Sequence, residues 1–256
     1  MINIYPFELQ FNNLGFSTRT EGKTGAFFPY LMNGNPVNGI SCFISFRDYS
    51  DRLELLKALG AETGNTAYLK QIHSRITIET DNSNLCTGTE ADGLVTRDQK
   101  IFLSVTVADC LPIYLYDTET SAFGLLHSGW KGTGIVINAL ELMKQKYGTR
   151  PEAVAAVFGP CIQSCCYRVD EERARLFEAE FGRSKGQYPL GPVTISREDG
   201  YYLNMQAANA SLLADIGVKN ISVCRDCTFT DSRLGSFRRE GENFTRMIAM
   251  TGFFKD

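Results

Sequence analysis

The sequence predicts a layered α/β domain built on a large mixed sheet. Apolar runs such as "IFLSVTVADCLPIYLYD" (101–117) and "AVAAVFG" (153–159) are almost continuous and rich in β-branched residues, as in strands buried on both faces. They alternate with segments whose apolar residues recur at helical spacing and whose ends carry capping residues. No repeat, low-complexity tract, charged tail or Pro/Ser-rich linker interrupts the 256 residues, so 1–256 reads as a single domain with enough length for a sizeable core.

Each element has a local reason. "TAYLKQIHSRITIET" (66–80) is rich in β-branched and aromatic residues and reads as a strand pair or one long strand around His73. The run 101–117 breaks at Asp109–Pro112, because a proline cannot donate to a sheet ladder. "DTETSA" is a turn, and "FGLLH" (123–127) is the partner strand of a hairpin. Thr133 is placed to cap a helix through Tyr147, with Val136, Leu140, Met143 and Tyr147 on one face and Gly148 ending it. Asp170 caps a second helix, with Glu171 and Glu172 favourable to its dipole. A third runs from about Asn204 to Ile216 and stops at Gly217. Gly182–Gly200 is the most loop-like stretch and reads as an excursion.

Composition narrows the partners. The chain is 43% hydrophobic and 21% charged, with a net charge of −3, which gives no electrostatic case for nucleic acid or an anionic membrane. No apolar run reaches the roughly 20 residues that span a bilayer. The start "MINIYPFELQFNN" lacks the basic and apolar regions of a signal peptide, so a cytoplasmic protein is expected. In that reducing setting the eight cysteines are expected as apolar thiols, metal ligands or a nucleophile.

The chain holds two histidines, His73 and His127, and one tryptophan, Trp130. A lone histidine at a strand end is ordinarily a hydrogen-bonded structural residue. His127, however, leads directly into "SGWKGTG", and a strand passing through a glycine-rich loop into a helix is where α/β sheets build their sites. Pairing "VTVADC" with "FGLLH" would bring Cys110 to His127. His73, Cys110 and His127 together make a two-imidazole, one-thiolate set. That set suits a catalytic zinc with an open position, or a single copper. The three lie 37 and 17 residues apart and match no short metal motif, so only the fold can unite them. "CIQSCCY" and "CRDC" offer a further thiolate group. Among the cations, Lys131 sits in the glycine-rich loop, Arg19 follows "GFST", and Arg238, Arg239 and Arg246 lie in "SFRREGENFTR". A guanidinium pair there can hold a phosphate. "HSGWKGTG" is not a P-loop.

Seven blocks in order, "GFSTR", "QIHS", "ADGLVT", "VADCLPIYLYD", "HSGWKGT", "GPCIQSCCYRV" and "SFRREGENFTRM", cover the chain from about residue 14 to its end. In them the chain resembles the bacterial laccase-domain proteins, first named multicopper polyphenol oxidases and later assigned as purine nucleoside phosphorylases that also deaminate adenosine. The resemblance implies an α/β/β/α-type sandwich similar in core topology to cysteine-hydrolase toxin domains. It implies zinc on His73, Cys110 and His127, and a pocket for purine nucleosides and phosphate with Arg19, Lys131, Arg238 and Arg239 nearby. The stretch after "GFSTR" departs from the family's glycine-rich continuation, and Lys131 stands where the family often has arginine. The function implied is a zinc-dependent purine nucleoside phosphorylase with adenosine deaminase and methylthioadenosine phosphorylase activity. The alternatives are a copper polyphenol oxidase, which two histidines supply poorly, and a cysteine hydrolase using Cys110 on peptidoglycan-type amides. Asp92 and Asp109 are candidates for the general acid. The oligomeric state stays open, a monomer included.

Overall fold

The computed structural model describes residues 2–9, 25–48, 51–61, 63–182 and 189–254. The chain begins with β1 (Asn3–Phe7), β2 (Gly25–Met32), β3 (Asn35–Ser45) and helix α1 (Arg52–Ala58). Seven short strands follow: β4 (Thr66–Lys70), β5 (Thr77–Glu79), β6 (Thr87–Glu90), β7 (Gly93–Thr96), β8 (Phe102–Val107), β9 (Leu111–Asp117) and β10 (Phe123–Ser128). Then come α2 (Ile135–Tyr147), β11 (Val154–Phe158), β12 (Arg168–Val169), α3 (Glu171–Phe181), β13 (Thr194–Arg197) and β14 (Gly200–Leu203). The chain closes with α4 (Met205–Ile216), β15 (Asn220–Cys224), α5 (Phe237–Glu240) and β16 (Met247–Gly252).

These strands form a seven-stranded mixed sheet, β1-β15-β11-β9-β10-β7-β5, and a six-stranded mixed sheet, β2-β3-β16-β8-β4-β6. Period-2 side-chain alternation stacks them into layers. Tyr114, Tyr116, Phe123, Leu125, Ala155 and Val157 point from the first sheet into a core shared with Phe28, Ile44, Leu103, Val105 and Ala249 of the second. The intervening residues Ile113, Leu115, Leu126, Ala156 and Ile221 face the other way, against Val136, Leu140 and Met143 of α2 and Ala210 and Leu213 of α4. On the outer face of the second sheet, Phe43, Ile248 and Met250 pack on Leu55 and Leu56 of α1. The order is therefore helix, sheet, sheet, helix. Being covered on both faces makes every residue of β9, β10 and β11 buried, hence their unbroken apolar runs.

The run 101–117 is not one strand. β8 belongs to the six-stranded sheet and β9 to the seven-stranded one, with Ala108–Cys110 between them. The hairpin partner of "FGLLH" is β9, with His127 opposite Pro112 and Ser128 opposite Leu111. "VTVADC" therefore does not pair with it; Cys110 reaches His127 because it immediately precedes β9. The stretch 66–80 is likewise split, β4 in one sheet and β5 in the other. β6 to β7 makes the same passage at Ala91–Asp92. β4 runs parallel to β6 and β8, β5 runs parallel to β7, and β7 and β9 both run antiparallel to β10. All three passages consequently leave the same end of the sandwich.

The helix ends hold one correction. Asp170 caps α3 by accepting from the Arg173 N–H, and Asn204 caps α4 by accepting from Ala207. Thr133 does not cap α2. Its hydroxyl donates to the Gly129 carbonyl, and Gly134 takes the cap position at φ +96°. Within Gly182–Gly200, β13 and the start of β14 are not loop; with β12 they make a small three-stranded sheet.

Across the inter-sheet core the buried Tyr114 hydroxyl donates to the Phe43 carbonyl at 2.8 Å. Tyr114→Phe is expected to lower stability by about 1 kcal/mol, as a shift of the urea midpoint at unchanged m-value.

Candidate active site

The three passages deliver His73, Asp92 and Cys110 to one place, and the end of β10 adds His127. The candidate ligand atoms of His73, Cys110 and His127 lie within 4.8 Å of one another. The two imidazole rings meet edge to face, 4.9 Å between centroids.

Asp92, fully buried, holds the cluster together. Its carboxylate accepts the backbone N–H groups of Ile72, His73 and Ser74 at 3.3, 3.0 and 2.6 Å, and the Ser74 hydroxyl at 2.7 Å. These bonds hold His73 in a left-handed conformation, φ +57°, that non-glycine residues seldom adopt. The same carboxylate accepts from Nδ1 of His127 at 2.8 Å, while the Asp92 carbonyl accepts the His127 N–H at 2.7 Å. Nδ1 being engaged, Nε2 is the ring nitrogen left for Cys110. Asp92 is thus an orienting carboxylate, and its bonds hold it well below the usual carboxylate range despite burial.

Cys110 follows Asp109, another left-handed non-glycine residue at φ +84°. Asp109 is anchored by the Thr228 hydroxyl at 2.6 Å and the Arg238 N–H at 2.7 Å, so both its carboxylate oxygens serve the loop. Burial raises the Cys110 thiol, but the charge and hydrogen bond of His127 and a hydrogen bond with His73 outweigh it and bring it down to about 7. For His127, burial disfavours the imidazolium, yet Cys110 and Asp92 raise it to about 9. Each group thus favours the charged form of the other, a thiolate beside an imidazolium, when no metal is bound.

Gly129 leaves the space these groups use. A Cβ there would sit 3.1 Å from the Cys110 sulfur and 3.3 Å from Cδ2 of His73. A two-imidazole, one-thiolate set fits a zinc or copper ion with an open position, and the Asp92–His127 bond is the carboxylate–histidine arrangement that orients metal ligands.

The cluster forms the floor of a cavity of about 570 Å³. Leu69, Val107, Ile162 and Met205 supply its apolar wall, Tyr167, Phe237 and Phe244 its aromatic side, and Arg173, Arg238 and Arg246 its positive charge. Phe237 and Phe244 meet edge to face at 5.1 Å, and Phe237 is 54% exposed, an aromatic platform at the mouth.

The predicted cations separate. Arg238 lines the cavity, its guanidinium donating to the Arg168 carbonyl at 2.7 Å. Arg239 turns away: its guanidinium donates to the carbonyls of Thr228, Phe229, Asp231 and Leu234 and to Glu240, clamping the passage from β15 to β16. Lys131 is exposed over the Trp130 ring and does not line the cavity. Trp130 packs against the α3–α4 cluster, with Arg173 4.8 Å from its ring centre. Arg19 lies outside the described residues. Sequence reasoning did not single out Arg173, Tyr167, Phe237 or Phe244; the last three lie inside the quoted blocks, whereas an arginine in an ordinary amphipathic helix looks like a solvated charge.

An α/β/β/α sandwich with a histidine–cysteine cluster at one end defines the class. The chain belongs to the family described as "Multi-copper polyphenol oxidoreductase laccase", whose profile matches residues 47–253. A protein of Borreliella burgdorferi named purine nucleoside phosphorylase is 34% identical over 179 residues, 69% of this chain and 75% of that one. A Deinococcus radiodurans protein of the same name is 32% identical over 203 residues, 79% and 76% of the two chains. The solved structure of YlmD from Geobacillus stearothermophilus has this fold, with a TM-score of 0.77 at 23% identity over 87% of this chain and 95% of that one.

Asp92→Ala would leave three loop amides and the His127 ring without their acceptor. It is expected to cost about 3–5 kcal/mol in chemical denaturation, whereas a substitution at exposed Lys131 should stay within about 0.5 kcal/mol.

Proposed function

We propose that this chain is a purine nucleoside phosphorylase, carried by one domain, with its site in the cavity floored by His73, Cys110 and His127. The observation that carries this reading is the co-location of that cluster with three guanidiniums and three aromatic rings in one cavity of nucleoside size. The relatives named purine nucleoside phosphorylase support it.

In phosphorolysis a phosphate oxygen forms a bond to the anomeric carbon as the glycosidic bond breaks. The electron pair of that bond leaves on the purine, which takes up a proton. Arg238 and Arg246 suit the phosphate, since guanidiniums bind its oxygens in pairs and keep their charge as the oxocarbenium-like state develops. The aromatic group at the mouth suits the flat base, and the apolar wall excludes water from the sugar. We assign a zinc ion to His73, Cys110 and His127, which when bound supplies a Lewis acid with one coordination position open. Asp92 fixes the tautomer of His127, leaving Nε2 as the nitrogen that would hold the ion. Adenosine deaminase and methylthioadenosine phosphorylase activities belong to the same proposal and the same cavity.

A second reading has its own observation. Asp92, His127 and Cys110 are ordered as orienter, base and nucleophile, which also suits a cysteine hydrolase. An acyl adduct on Cys110 that zinc does not block would favour it over the first.

Adenosine, inosine, guanosine and methylthioadenosine, each tested with and without phosphate, provide the main assay. Free base formed only with phosphate is the expected result; inosine formed from adenosine without phosphate would establish deamination, and turnover of neither kind would end the proposal. Protein purified without added metal should carry zinc, and copper in its place would reverse the metal assignment. His127→Ala should lose both metal and turnover. Asp92→Asn should weaken metal binding about 10–100-fold, read by competition with a chromophoric chelator. Arg238→Ala or Arg246→Ala should lower kcat/KM for phosphate by about 10–100-fold, the value of one hydrogen bond to a charged group.

A further inference from the structure

A second sulfur cluster lies apart from the cavity. β11 and β15 are parallel neighbours, so the loops that follow their carboxyl ends emerge side by side. A parallel bridge between Cys161 and Cys227 and the Thr228 N–H on the Cys161 carbonyl, 3.1 Å, tie these loops together. The result is that the sulfurs of Cys165, Cys166 and Cys227, distant in sequence, lie within 4.8 Å of one another. The Cys165 and Cys166 sulfurs are 3.3 Å apart.

These thiols differ from the other cysteines at this end of the sheet. Cys161 and Cys224 are buried in the core, as apolar thiols ordinarily are. Cys165 is exposed, Cys166 is half-buried and Cys227 is buried, so the cluster runs from solvent inward. Cys165 and Cys227 line an open cleft that shares no residue with the proposed active-site cavity. The Gln163 N–H donates to the Cys227 sulfur at 3.4 Å, and the Thr230 N–H donates to the Cys227 carbonyl at 3.1 Å. Backbone amides turned onto a sulfur stabilise the thiolate and set its direction, as around metal-bound cysteines. Arg197 donates to the carbonyls of Ser164 and Cys165 at 3.1 and 3.2 Å, which fixes the backbone that carries Cys165.

We propose that Cys165, Cys166 and Cys227 form an all-sulfur site that binds one copper(I) ion, separate from the His73–Cys110–His127 cluster. Thiolates select soft cations, and among the described residues this group contains no imidazole or carboxylate ligand. Three donors suit trigonal copper(I), whereas a closed zinc site takes four. Binding forms three copper–sulfur bonds and releases the thiol protons, with no change of oxidation state.

The test is anaerobic titration of reduced, metal-free protein with copper(I) buffered by bicinchoninate. His127→Ala, which disables the other cluster, should still take up one copper per chain, with only sulfur in its X-ray absorption shell. Adding Cys165→Ser and Cys166→Ser to that variant should abolish this uptake. Alkylation footprinting of wild-type protein reads the same site without any variant. Copper(I) should protect Cys165, Cys166 and Cys227 together while Cys86 keeps reacting. Absence of uptake, a shell containing nitrogen, uptake that survives the double substitution, or a Cys165 that stays reactive with copper bound would each overturn the proposal.

Discussion

The candidate site depends on one buried carboxylate. Asp92 receives three consecutive loop amides, a serine hydroxyl and the ring of His127. A desolvated charge is tolerable only when its oxygens are satisfied, and here that requirement is what draws the His73 loop and the end of β10 together. The left-handed turn at His73 costs conformational energy, which the Asp92 bonds offset. Without this anion there is no local reason for the two histidines to meet.

Topology makes that anchoring possible. Three times the chain passes from the six-stranded sheet to the seven-stranded one, and strand direction puts all three passages at one end. Each passage must abandon the ladder of one sheet before joining the next, so its backbone groups need other partners. Asp92 supplies those of the first passage with side-chain oxygens, while Asp109 ties the third passage to Thr228 and Arg238, and His73 and Cys110 are held in place as a result. Gly129 completes the arrangement by having no side chain where the sulfur and the His73 ring lie.

Cysteine serves three physical roles in this chain. Cys161 and Cys224 fill core volume. Cys110 lies between two imidazoles, where charge and hydrogen bonds overcome the burial that would otherwise raise its thiol. Cys165, Cys166 and Cys227 gather at the carboxyl ends of parallel strands, where the Gln163 amide points at the Cys227 sulfur. Arginine divides in the same way. Arg239 ties four carbonyls of a loop, while its neighbour Arg238 faces the cavity.

By itself the sequence determined the mix of strands and helices and several helix ends, because apolar period and capping chemistry are local: Asp170 and Asn204 start, and Gly148 and Gly217 stop, their helices where they stand, whereas the four-layer order was implied only by the resemblance. It also singled out His73, Cys110 and His127, through residue chemistry and the seven ordered blocks. Only the tertiary structure decided how those three meet. The run 101–117 shows its break at Asp109–Pro112, yet no local pattern distinguishes a strand that bulges there from one that changes layer, and its halves lie in different sheets. It likewise decided that Asp92 orients His127, that Arg173 faces the cavity, and that Lys131 and Arg239 do not. Such assignments depend on which surfaces face each other, a property of strand direction and packing that residue type alone does not encode.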